Sequence, residues 1–219
     1  MKQMNTLENV KQWFIDCDLE NGGRLDKQSL KLSEEFGELC AGYLKKNEKV
    51  MKDSIGDCAV VIVGLALLIK EDVNQIFEES DNIRKKDVME SFISINANIS
   101  EFQLSQGFAS KELCRHNLVR CIGYLKNLGY DFDECFELAY QEIKYRKGRW
   151  IDGSFVKEED YLVIDNVNKP SHYQGSKGLE SIEVIDNFIG NLIGKAAGFA
   201  GEMQSSIYYV SKRRTVLKI

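Results

Sequence analysis

The chain has 219 residues, 43% hydrophobic and 29% charged, enough for a sizeable core and too apolar for a disordered chain. Its net charge of −5 offers no basic face to nucleic acid. Six scattered cysteines without a Cys-x-x-Cys pair, and only two histidines, argue against zinc; unpaired thiols behind a start that lacks a signal peptide point to the cytoplasm.

A first helix is expected from Leu7 to about Leu19, with Val10, Trp13, Phe14 and Cys17 on one face, ended by Asn21-Gly22-Gly23. A second runs from near Asp26 to Lys45, and a third from near Met51 to Ile69. The third contains an apolar run from Cys58 to Ile69, too short to span a bilayer and read as a buried helix. Asp72 caps a fourth helix whose inner face is Val73, Ile76, Phe77 and Ile83. Further helices follow at about Asp87–Gln106, Ser110–Leu128 with Ser110 as cap, and Asp133–Lys147. Two glycines and alternating apolar residues make Gly148–Lys157 a loop or short hairpin. Residues 158 to 170 read as a linker to a second, smaller unit.

A faint repeat relates Gly64–Lys86 to Gly123–Lys147, about sixty residues on, with Asp72 and Asp131 as matching caps. In the second copy the counterpart of Asp57 falls near His116, and Asn96 and Asn98 fall near the glutamate positions.

Glu35 and Glu38 are three apart, and Asp53 and Asp57 four apart, so each pair shares a helix face. Glu38 and Asp57 lie at nearly equal distance from the break at Asn47-Glu48, so an antiparallel hairpin sets them at one height. Converging carboxylates repel strongly in a partly buried site, and a hard divalent cation removes that cost. Oxygen-only donors select magnesium, with manganese as the alternative. The competing reading is a solvated acidic face paired with Lys45, Lys46, Lys49 and Lys52. Gly37 and Gly56 sit beside the acids inside helices, where glycine costs about 1 kcal/mol, which suggests close approach of a helix or ligand.

Glu35-x-x-Glu38, then Ser54-x-x-Asp57 followed by Cys58-Ala59-Val60-Val61-Ile62, resembles the Glu-x-x-Glu…Glu-x-x-Asp signature of MazG-like nucleoside triphosphate pyrophosphohydrolases. Ala139–Gly148 with Asp152–Lys157 is similar to the close of phage and bacterial members. The resemblance covers about residues 1–160 and implies an all-α antiparallel helical bundle of MazG or dimeric-dUTPase type; the faint repeat read above is either a degenerate internal repeat within it or the chance similarity of two helical stretches. It implies magnesium-dependent hydrolysis of (deoxy)nucleoside triphosphates to monophosphate and pyrophosphate, a role in nucleotide-pool control and a homo-oligomer. By carry-over Glu35, Glu38 and Asp57 are metal ligands. Ser54 departs from the family acid; either Asp53 substitutes or Ser54 holds a ligand water.

Glu34 or Glu35 would orient the attacking water, and Lys144, Arg146 and Lys147 would meet the phosphates; otherwise these cations form a basic helix end. Trp13 and Trp150 are read as core or loop anchors, with base stacking as the alternative. Residues 166–219, from Pro170-Ser171-His172-Tyr173 to Ile182-Glu183-Val184-Ile185-Asp186, resemble a small helical phage domain, some members of which are described as nucleotide kinases. His172 is a turn anchor or a phosphate contact there. The expected partner is a nucleoside triphosphate, with neither nucleic acid nor membrane. The other classes left open are a degenerate nucleotide-binding or regulatory protein and a helical interaction module.

Overall fold

A computed structural model describes residues 6–105 and 111–160. The Ser110 cap, the segment 166–219 and His172 lie outside these residues. The described chain is mostly helical, in the order α1 (Thr6–Asp16), α2 (Leu19–Gly22), α3 (Leu25–Leu44), α4 (Glu48–Leu68), α5 (Val73–Ser80), α6 (Val88–Ser105), α7 (Lys111–Leu125) and α8 (Phe132–Ile143). A hairpin of β1 (Gly148–Ile151) and β2 (Ser154–Lys157) follows. No helix among the described residues is long and apolar enough to cross a membrane.

α4 is the central element because its apolar residues recur on every side rather than on one stripe. Ile55, Ile62, Val63, Leu65 and Ala66 are fully buried, and α3, α8, α1, α7, α2 and α5 all pack against it. Asn47 starts α4 by accepting the Val50 amide at 3.3 Å, which moves the helix start three residues ahead of the expected Met51. The first expected helix is divided instead, because Asp18 takes a left-handed conformation (φ 58°) that turns Leu19 back into the core.

The repeat has a counterpart in the packing. α3 pairs with α4 and α6 with α7, while the third helix of each half crosses over: α8 packs on α4, and α5 packs on α7. Asp72 accepts the Asn74 and Gln75 amides and Asp131 accepts the Glu134 amide, so both caps form. The inward polar position on α7 is Asn117 rather than the expected His116, which is exposed. Asn98 is likewise buried on α6, while Asn96 points outward. The second half therefore carries neutral amides at its centre.

Gly56 fulfils its expected role, since a Cβ there would overlap the Cys135 carbonyl of α8. Gly37 does not: it is exposed and a Cβ would meet nothing within 4 Å. Gly56→Ala should push α8 from α4 and cost about 1–3 kcal/mol, lowering the melting temperature by several degrees. Thermal unfolding followed by circular dichroism checks this; an unchanged transition would mean that the two helices separate freely.

All six cysteines are free thiols, four of them buried. Burial pushes Cys121 up to about 12 and Cys135 up to about 11, so neither is a ready nucleophile.

Candidate active site

Glu35 and Glu38 from α3, Asp57 from α4, Glu142 from the end of α8 and Arg146 from the turn that follows it line one cavity of about 480 Å³. The hairpin closes another side of it through Trp150, Phe155 and Lys157. A larger cavity of about 620 Å³ lies where α1 and α2 meet the end of α4, but its lining includes no comparable convergence of acids.

The hairpin is held in place by specific bonds. Asp152 (φ 47°) and Gly153 (φ 83°) form a tight turn with two left-handed residues, and Trp150 pairs with Phe155 across the strands. Arg24 ties the turn down, donating its backbone N–H to the Gly153 carbonyl at 3.2 Å and its guanidinium to Asp152 at 2.9 Å. The Trp150 indole N–H donates to the Cys17 carbonyl at 2.6 Å. Trp150 is thus a loop anchor, as one of the two sequence readings held, and it also lines the cavity.

Asp57 is the most perturbed carboxyl of the site. Burial pushes it from its usual 3.8 up to about 7, and the charges of Glu35, Asp53 and Glu142 add to the effect against the opposing pull of Arg146. Glu35 is only 7% exposed, and burial also raises it; Lys31 offsets part of this, while Glu38 and Glu34 add to it. The Lys31 ammonium lies 2.7 Å from Glu35 and 2.9 Å from Glu34. Burial pulls Lys31 down, but its bonds to Glu35 and Glu34 leave it above its usual range.

The other sequence candidates are distributed around this centre. Asp53 acts on Asp57 through charge but stays outside the cavity lining, as does Ser54 one turn from Asp57. Ser54 is 1% exposed and its Oγ has no hydrogen-bond partner. Glu34 is solvated on the outer side of Lys31 and is not a lining residue. Lys147 lines an adjoining shallow cavity of about 430 Å³ that shares Glu142, Arg146 and Lys157 with the first and includes Glu158 and Glu159. Lys144 bonds to Gln141 and lies over the Tyr145 ring at 4.8 Å, away from both cavities. Of the three expected phosphate contacts, only Arg146 joins the acids.

Lys52, expected beside the acids in the solvated reading, pairs instead with Glu48 and Glu134. Lys31, Gln28 and Glu142 were not singled out by sequence. Lys31 had a readable signal in its four-residue spacing to Glu35; Gln28 and Glu142 had none short of knowing which faces converge.

Among the described residues no group of three or more His, Cys, Asp or Glu side chains is arranged to hold a metal ion. The donor set nevertheless fits one in its chemistry: Glu35, Glu38 and Asp57 offer oxygen donors only, and burial with the neighbouring acids makes the Asp57 carboxylate costly without a cation. Lys31 is the positive charge that Glu35 meets in this arrangement.

Similarity to known proteins is partial. Over 60 residues, 27% of this chain, the sequence is 52% identical to an uncharacterized 18.2 kDa protein from the rep-hol intergenic region of Haemophilus phage HP1, covering 37% of that protein. Over 163 residues, 74% of this chain, it is 26% identical to V-type ATP synthase subunit I of Borreliella burgdorferi, covering 26% of that subunit. The chain thus spans little more than a third of the first relative and about a quarter of the second. No protein-family model and no solved structure matches it.

Proposed function

We propose that this chain is a magnesium-dependent nucleoside triphosphate pyrophosphohydrolase built on a MazG-like helical bundle of phage type. The observation that carries the reading is the convergence of Glu35, Glu38, Asp57 and Arg146 on one cavity. The crossed packing of two similar halves and the short stretch of identity to a phage protein are in keeping with it.

Glu35, Glu38 and Asp57 are the residues that would hold magnesium. Bound there, the ion supplies charge neutralisation at the phosphates and a more acidic water. Arg146, on the same cavity lining and near enough to act on Asp57 through charge, offers a planar guanidinium to phosphate oxygens. Glu35 is deep enough in the cavity to accept a proton from water, and Glu34, solvated beyond Lys31, is the weaker choice for that role. Lys31 must release Glu35 before that carboxylate can serve as a ligand.

Incubation with deoxynucleoside and ribonucleoside triphosphates plus magnesium should yield monophosphate and pyrophosphate from at least one of them. Absence of pyrophosphate across the whole panel would remove the enzyme reading. A second reading, a nucleotide-binding protein with a degenerate site, is favoured by one observation: the Lys31–Glu35 pair at 2.7 Å already balances the charge that a metal would meet. Unimpaired nucleotide binding without turnover would select it.

A further inference from the structure

The acids occupy one part of the cavity; the rest of the lining has a different chemistry. Trp13, Trp150 and Phe155, each half-buried, form an aromatic cluster on it. Phe155 stands edge to face with both indoles, its centroid 5.4 Å from Trp13 and 5.3 Å from Trp150. Gln28, one helical turn before Lys31 on α3, lines the same cavity. Gln28 is only 7% exposed, yet its carboxamide makes no hydrogen bond with a described residue. Its amide atoms are not among the fully buried unpartnered ones, so on this cavity lining it presents a free donor and a free acceptor side by side.

We infer that this half of the cavity is a binding subsite for a nucleobase, with Trp13, Trp150 and Phe155 forming its aromatic wall and Gln28 reading the polar edge of the ring. A flat heterocycle offers stacking area to the wall and adjacent donor and acceptor groups to the amide. The inference rests on the nucleotide reading above and extends it: selection of the base falls to α1, α3 and the hairpin, apart from the acids. Trp150 then has two roles, pinning the hairpin through Cys17 and forming wall.

Trp13 and Trp150 are the only two tryptophans of the chain, so their indole N–H signals report on this wall alone. The test follows both signals in the 15N-labelled full chain, assigned with Trp13→Phe, during titration with free deoxynucleosides in EDTA. At least one nucleoside should shift an indole signal saturably, and pyrophosphate at equal concentration should shift neither. Gln28→Leu should weaken that nucleoside roughly five- to tenfold and narrow the spread among the bases. Phe155→Leu should weaken all nucleosides together. Silent indoles with every nucleoside, or a Gln28→Leu protein with unaltered affinity and preference, would overturn the inference. Neither readout depends on hydrolysis. Pyrophosphate release with silent indoles sinks the subsite and spares the enzyme, and indole shifts without pyrophosphate release do the reverse.

Discussion

Replacing Glu38 by glutamine is expected to cut pyrophosphate release on the order of 100-fold or more, with the fold intact. Glu38 is exposed at the cavity mouth, and exchanging a carboxylate for an amide at such a site changes stability by about 0.5 kcal/mol at most. The loss would therefore be one of chemistry and not of folding. Magnesium should raise the melting temperature of the parent protein and raise it less, or not at all, in Glu38→Gln, because a ligand that binds only the native state stabilises it by mass action. Turnover and melting with and without magnesium are the paired measurements. Full activity in Glu38→Gln would remove this residue from the ligand set, and with it the proposed geometry.

The second large effect concerns stability and has the opposite sign. Asp57 titrates near 7 in the folded chain against 3.8 when free, so the native state binds its proton more tightly than the unfolded state does. Its ionisation therefore opposes folding: the penalty is absent below about pH 4, grows as pH rises, and is complete above about pH 7. Asp57→Asn should stabilise the metal-free protein at pH 8 by about 2–4 kcal/mol, several degrees in melting temperature, while abolishing turnover. The gain should shrink steadily as pH is lowered from 7 toward 4. Equal melting temperatures for the two proteins at pH 8 would show that the acids around Asp57 are already neutralised. A stabilising substitution that destroys activity is the behaviour of a residue kept for function at a cost to the fold.

How much of this was readable in advance depends on the range of the interaction concerned. Helix spacing and caps are local: Asp72, Asp131 and the glycines of the hairpin signal their structures within a few residues. The pairing of Glu38 with Asp57 on one cavity followed from counting outward from a short turn, a step that needs only helical rise. The left-handed Asp18 was not legible, because the burial of Leu19 decides it and neighbours in sequence do not. The choice among Lys144, Arg146 and Lys147 was also closed to sequence. Past Ile143 the helical period ends, and which cation faces the acids is set by how the chain turns into β1. The exchange of His116 for Asn117 at the centre of α7 is a one-residue difference in register, within the error of aligning one helix with another.

The crossing of the third helices has a consequence for synthesis on the ribosome. α4 leaves the ribosome with Asp57 in place, but α8, which covers it and brings Glu142 and Arg146, follows roughly 85 residues later, several seconds at ordinary elongation rates. During that interval the face of α4 around Gly56 lacks its cover, and Lys31 is the neutralising charge already to hand beside Glu35. Because Lys31 and Glu35 are four apart on α3, that carboxylate is neutralised as soon as its own helix forms, without waiting for the C-terminal half.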